Sequence, residues 1–233
     1  MKTRILLPLL VLVLAVLGVT ACGGNDDGDS ASGQAGASTM EAGGEPMQAA
    51  TTTAASDLRS TLETLLGEHA VLAMTATQKG LAGAPDFEAV AAALDANGVA
   101  LSEAIGSVYG DEAAEQFLDG PSLWRDHISF FVDYTVGLAE KEKAAQREAV
   151  ENLTGYTGAF SGFLAGATGL PQAALQESTA EHVAQLKAQI DAYAAGDYEE
   201  AYRLFREAYA HMVMTGATLA DAIVAQNPDA FGR

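Results

Sequence analysis

The sequence predicts an all-α fold, a bundle of about six helices arranged as three repeated hairpins over residues 57–233. Apolar residues recur there at helical spacing, and no stretch shows the alternation of a β-strand. Glycine and proline interrupt the pattern between the predicted helices. An acidic residue followed by histidine recurs at intervals of 58 and 55 residues, which indicates one repeated element: Glu68-His69, Asp126-His127 and Glu181-His182.

Helix-breaking residues set the predicted helix ends. Gly80 and Gly110 end the two helices of the first hairpin, and Pro121 and Pro171 open the second and third hairpins. A short helix over 111–119 either stands alone or belongs to the helix that follows it. The six main helices are predicted at residues 57–79, 86–109, 122–140, 142–165, 171–195 and 197–225.

The ends of the three hairpins also match one another. Similar small and apolar residues occupy 100–105, 159–164 and 218–223. Each copy therefore consists of a histidine-bearing helix, a turn and an apolar helix. Hairpins of this kind cannot bury their apolar faces alone, so we expect the three to share one core.

The N-terminal part is typical of an exported lipoprotein. A basic start and an apolar run predict a signal peptide over residues 1–21. The sequence at 19–22 resembles the bacterial lipobox, in which cleavage precedes the cysteine and its thiol is acylated. Residues 22–56 would then be a lipidated Cys22 followed by a disordered tether of small and acidic residues. We expect the lipid to hold the protein at the extracytoplasmic face of the cell membrane.

The charge balance argues against one class of partner. The chain has 31 acidic and 12 basic residues, a net charge of −19. Such an acidic chain is repelled by nucleic acid, and it fits an exported domain that has to remain in solution. Nothing in the sequence indicates a protein partner.

Each of the four histidines of the chain falls on the predicted apolar stripe of its helix. For the last helix the predicted inward row comprises five residues at helical spacing: Leu204, Ala208, His211, Thr215 and Leu219. Burying several imidazoles costs free energy unless their nitrogens are bound, and a metal ion binds the neutral ring directly. The sequence therefore predicts a shared site for copper, zinc or iron, with four ligands: His69, His127, His182 and His211.

Other side chains could complete or support such a site. Met214, three residues after His211, could add a sulfur ligand and favour Cu(I). Glu68, Asp126 and Glu181 lie at the rim of each stripe, where they could hold a ring nitrogen on a neighbouring helix or remain solvated. Asp133 lies on a strongly apolar helix, and we expect this acid to be buried.

No catalytic motif is present. The sequence lacks Glu-x-x-His, His-x-x-x-His, Cys-x-x-Cys-His, a glycine-rich phosphate loop and a Gly-x-Ser-x-Gly elbow. We therefore predict a binding protein. One alternative is a structural or interaction module whose histidines are hydrogen-bonded in the core, and a second is a pH sensor.

Residues 65–231 also resemble a family of small exported helical domains of Gram-positive bacteria. The matching segments are 68–69, 109–110, 125–128, 196–198, 211–212, 219–223 and 226–231. The resemblance implies an all-helical, histidine-containing domain and no settled activity, since members carry conflicting labels that include copper amine oxidase. A copper amine oxidase needs an Asn-Tyr-Asp/Glu precursor and a His-x-His pair, and neither occurs in this sequence.

Overall fold

The computed structural model describes residues 51–232, in which seven α-helices and one short 3-10 helix occur and no β-strand does. The prediction of an all-α bundle is confirmed. Each predicted helix end lies within three residues of the observed one, and the short helix stands alone. The elements are α1 (Ala54–Ala82), α2 (Phe87–Tyr109), α3 (Asp111–Asp119), α4 (Trp124–Ala139), α5 (Lys143–Thr168), α6 (Gln172–Ala194), α7 (Tyr198–Gln226) and the 3-10 helix Pro228–Phe231.

Local signals in the sequence account for the helix ends. Thr53 caps α1, because its hydroxyl accepts the backbone N–H of Ser56 while the Ser56 hydroxyl accepts the N–H of Thr53. This reciprocal pair starts the helix three residues before the predicted boundary at 57. At the other end Gly83 adopts a left-handed conformation with φ of 57°, which glycine tolerates without strain.

The three hairpins pack around a common centre. Helices α1, α4 and α6, the inner helices, contact one another, whereas α2, α5 and α7, the outer helices, fill the three gaps between them. Helix α3 packs on α2 and α4. The first helix of every predicted hairpin is thus an inner helix. This arrangement brings the repeated histidine positions to the axis of the bundle.

Two apolar clusters make up the core. One includes Leu66, Trp124 and Leu175, and the other includes Phe131 and Leu186. Along α4 and α6 the histidine falls between the residues of the first cluster and those of the second, and on α1 it lies beside Ala70, the last residue of the first cluster. The histidines therefore form a polar layer between two apolar layers.

The buried face of α7 differs from the prediction. Its buried residues lie on a row that is rotated about the helix axis from the predicted row: Ala201, Ala208, Met212, Gly216, Ala220, Ile223 and Val224. A Cβ at Gly216 would lie only 2.8 Å from the carbonyl oxygen of Leu62, so the backbones of α7 and α1 approach closely there. Because these small residues face α1, His211 is directed towards α6.

The predicted signal peptide, Cys22 and nearly all of the predicted tether lie outside the described residues. Among residues 51–232, no helix combines the length and the apolar character needed to cross a membrane. The predictions that the described residues can test are therefore those for the helical domain.

Candidate metal centre

Three histidines meet at the axis of the bundle. His69 on α1, His127 on α4 and His182 on α6 have exposed fractions of only 1%, 1% and 6%. The ring of His69 lies 5.5 Å from that of His127 and 5.9 Å from that of His182, measured between centroids. One ring nitrogen of each residue can be chosen so that all three lie within 4.8 Å of one another. We call this group the three-histidine centre.

Four ring nitrogens of this centre lack hydrogen-bond partners. Both nitrogens of His69 and both of His182 are enclosed, and no group of the described residues bonds to them. Burying a polar group without a partner costs about 1–3 kcal/mol, so native proteins rarely leave several together. Four such atoms together make the centre the candidate binding site of the described residues.

Burial also fixes the protonation state of the three rings. It lowers the pKa of His69, His127 and His182 from 6.5 to about 3, chiefly because the charged ring would lose its hydration, and neighbouring histidines add repulsion. At neutral pH all three rings are uncharged. The nitrogen without a proton can therefore act as a metal ligand or accept a hydrogen bond.

Aromatic side chains surround the centre. The ring of Trp124 lies 4.8 Å from both His69 and His127, and Tyr156 stacks on His127 at 4.7 Å. These contacts restrict the rotation of the imidazoles. Sequence reasoning missed Trp124, although its position three residues before His127 places both on one helix face.

His211 is placed differently from the other three histidines. Its Nε2 lies 3.1 Å from the carbonyl oxygen of Ser178 and 3.2 Å from its hydroxyl, so the Nε2–H donates to Ser178. The side chain is 11% exposed, and Nδ1 lies 3.8 Å from a carboxylate oxygen of Glu181. The predicted convergence of four rings is therefore corrected to three, and His211 is a partnered residue between α6 and α7.

The other predicted contributors also lie away from the centre. The exposed carboxylate of Glu68 accepts a hydrogen bond of 2.8 Å from the side-chain amide of Asn97. Asp126 accepts the backbone N–H of Ser122 at 2.6 Å and so stabilises the start of α4. Met214 is 61% exposed on the surface of α7.

The expectation that Asp133 is buried is wrong, because its side chain is exposed. Val132 and Val136 on the same helix are also exposed, so α4 carries apolar residues on its solvent side. The apolar residues next to Asp133 in the sequence therefore do not identify the buried face of α4. Of the predicted acids, only Glu181 lies close to a histidine ring of a neighbouring helix, and that ring belongs to His211.

Comparison of the chain with protein-family models, with curated proteins and with solved structures finds no match. The resemblance to exported helical domains therefore stays a prediction, and no role is carried over from a relative. The function has to follow from the burial, spacing and chemistry of the side chains described above.

Proposed function

We propose that this protein binds one transition-metal ion, copper, zinc or iron, through His69, His127 and His182. It would do so outside the cytoplasm, held to the membrane by a lipid on Cys22, and it would scavenge, store or deliver the ion. The observation that carries the proposal is the set of four enclosed ring nitrogens without partners, two in His69 and two in His182. Coordination would satisfy one nitrogen of each ring without requiring any charge on the protein.

The spacing of the rings suits this role after a small adjustment. Nitrogens that share one tetrahedral zinc ion lie about 3.3 Å apart, given zinc–nitrogen bonds of about 2.0–2.1 Å. The three nitrogens here lie within 4.8 Å of one another. Movements of the rings by about 1 Å or less would bring them into range. Three protein ligands leave a further coordination position open, as in metal sites that exchange or activate a ligand.

The charge of the surroundings bears on which ion is held. Among residues 51–232 the only group of metal-ligating side chains with suitable spacing consists of these three neutral imidazoles, without a carboxylate or a thiolate. A divalent ion would bring two uncompensated charges into an apolar layer unless an anion came with it. Cu(I) brings one charge, and imidazole nitrogen suits copper. We therefore expect Cu(I) to be retained best.

The alternative of a structural module with hydrogen-bonded histidines draws support from one residue. His211 has the partners that this reading requires, in both groups of Ser178. His69 and His182 have none among the described residues. The alternative thus describes the contact between α6 and α7 and leaves the centre of the bundle without an explanation.

Metal titration of the full chain, purified without a histidine tag, tests the proposal. We expect one equivalent of Cu(I) to bind with a Kd below about 1 μM, roughly −8 kcal/mol. His69→Leu should weaken binding by about 100-fold or more, because a ligand at the centre is lost. His211→Leu is the matched control and should leave the Kd unchanged. Binding weaker than micromolar, or equal losses in the two variants, would contradict the proposal.

The membrane anchor is tested separately. In cells that process lipoproteins, labelled palmitate should be incorporated into the unmodified protein and not into Cys22→Ser, because the acylated thiol is removed. Absence of label from the unmodified protein, or equal label in both forms, would rule out anchoring through Cys22. The metal affinity of the helical domain should be the same in both forms.

A further inference from the structure

The three-histidine centre is enclosed, so an ion has to pass between side chains to reach it. Of the three rings, that of His182 is the most exposed, at 6%. A cavity of about 80 Å³ lies beside His127 and His182, and residues of α7 form part of its wall. One water molecule needs about 10–15 Å³, so this inner cavity has room for an ion.

An open cleft between the first half of α6 and the second half of α7 adjoins the inner cavity. Its volume is about 260 Å³, and the exposed Met214 lies in its wall. Five residues line both the inner cavity and this outer cleft: Leu175, Ser178, His211, Thr215 and Leu219. His211 therefore lies between the outer cleft and the cavity that borders His182.

His211 has a ring nitrogen that can bind a cation. Its Nε2–H donates to the carbonyl of Ser178, so Nδ1 of the neutral ring keeps its lone pair. A carboxylate oxygen of Glu181 lies 3.8 Å from Nδ1, which is too far for a hydrogen bond. Two atoms bonded to one metal ion at about 2.0–2.2 Å lie about 3.3 Å apart in a tetrahedral arrangement and about 4.2 Å apart in a linear one. The spacing of these two atoms therefore suits a shared ion.

A second cleft, enclosed by α1, α2, α4 and α6, also borders the centre at His69 and His127. Among the described residues that line it, the only acid, Glu140, is exposed, and the two threonine hydroxyls donate to backbone carbonyls of their own helices. A cation that moved along these apolar walls would lose its hydration without gaining a ligand. The way past His211 instead supplies a carboxylate and an imidazole before the ion reaches His182.

We propose that His211 and Glu181 form an outer entry site, which takes up the ion and passes it to the three-histidine centre by way of His182. This inference rests on the proposed metal binding. The entry site has two protein ligands and the centre has three, so the ion does not remain at the entry site. Because the Kd depends only on the free and the fully bound states, loss of the entry site changes the rates of uptake and release by the same factor.

Stopped-flow mixing measures the two rates. The metal-free full chain receives Cu(I) from a weak chelator, and uptake is followed by the fluorescence of Trp124, the only tryptophan, whose ring lies 4.8 Å from those of His69 and His127. An excess of a strong chelator then measures release. We expect His211→Leu to slow both rates by about 10-fold or more at an unchanged Kd, because the ion loses a ligand on its way. Unchanged or faster uptake would overturn the proposal.

His211→Met tests whether the side chain acts as a ligand. Thioether sulfur binds Cu(I), so this variant should take up the ion faster than His211→Leu does, although both variants lose the hydrogen bonds to Ser178. Equal uptake rates in the two variants would show that His211 only fills space, and the entry site would be excluded.

Glu181→Gln keeps the shape of the side chain and removes its charge. Uptake should slow by about 3-fold or more, because the carboxylate attracts the cation to the cleft. Glu177 is also an exposed acid of α6 but does not line the outer cleft, so Glu177→Gln is the matched control and should leave uptake unchanged. Equal slowing in both variants would mean that net charge alone acts, and would overturn the local role of Glu181.

Ala139→Leu tests the second cleft, because Ala139 is exposed at its outer part. Uptake should be unchanged, and slower uptake would place the path of the ion there and overturn the role of His211. An unmodified chain that binds no Cu(I) would contradict the metal function itself. A normal affinity with unchanged rates in the His211 variants would contradict only the entry site.

Discussion

The three-histidine centre and the surroundings of His211 show the same residue type in two opposite situations. In the centre, His69 and His182 are buried and have no hydrogen-bond partner among the described residues. His211 lies at the edge of the core and donates to Ser178. A partnered histidine contributes to packing between helices, whereas partnerless ones lower stability.

The difference follows from the layer to which each helix belongs. The inner helices direct their buried faces at one another, so their histidines meet at the axis, where His127 also stacks on Tyr156 of the outer helix α5. Helix α7 is an outer helix, and it packs on both α1 and α6. Its small residues face α1, so His211 faces α6. There the hydroxyl and the carbonyl of Ser178 lie within hydrogen-bonding distance of its ring. Position in the bundle therefore separates the partnerless histidines at the axis from the partnered one at the edge of the core.

The largest expected effect is a loss of stability of the metal-free protein below pH 6.5. Burial lowers the pKa of the three central histidines to about 3, whereas the unfolded chain keeps values near 6.5. Above pH 7 the rings are neutral in both states, so they add no pH dependence. As the pH falls from 6.5 towards 3, only the unfolded state takes up protons. The free energy of unfolding should decrease by about 1.4 kcal/mol per pH unit for each ring, which is about 4 kcal/mol per pH unit for the three rings together.

Urea unfolding at pH 7.5, 6.0 and 5.0 measures this slope. His182→Leu should reduce it by about a third, because one of the three rings is gone. An unfolding free energy that is the same at pH 7.5 and 5.0 would mean that the rings are accessible to protons in the folded state. The enclosure that distinguishes the centre from the edge of the core would then be absent in solution.

The sequence determines most of the fold because its helix-breaking signals are local. Gly110, Pro121 and Gly169 act on their own neighbours, and the ends that they set lie within three residues of those predicted. The inward placement of His69 and His127 also follows from local spacing. Both sit on stripes that face the axis because their helices are inner helices.

The errors arise where tertiary packing decides between adjacent helix positions. Residues 211 and 212 differ by about 100° around α7. The row through His211 and the row through Met212 both contain apolar residues, so the spacing alone does not show which row is buried. The close approach at Gly216 selects the row of Met212, and this contact depends on a helix more than 130 residues away. Similarly, exposed valines lie on the solvent side of α4, so the exposure of Asp133 could not be predicted from the apolar residues next to it.

The second prediction compares stability across the two kinds of histidine. In the metal-free protein at pH 7.5, His182→Leu should raise the free energy of unfolding by about 1–3 kcal/mol, because two unpaired buried nitrogens are replaced by an apolar group of similar size. His211→Leu should lower it, since the hydrogen bonds to Ser178 are lost. Chemical denaturation of both variants beside the unmodified chain gives the comparison. Destabilisation by His182→Leu would show that this ring has partners in solution.

The smallest expected effect concerns Ser178 itself. Ser178→Ala removes the hydroxyl that lies 3.2 Å from His211 Nε2 but keeps the carbonyl at 3.1 Å. One acceptor for the Nε2–H therefore remains, and the free energy of unfolding should fall by about 0.5–1 kcal/mol at most. The Cu(I) affinity should not change, because no ligand of the centre is touched. A weaker affinity in this variant would place His211 within the binding site after all and remove the distinction between the inner and outer histidines.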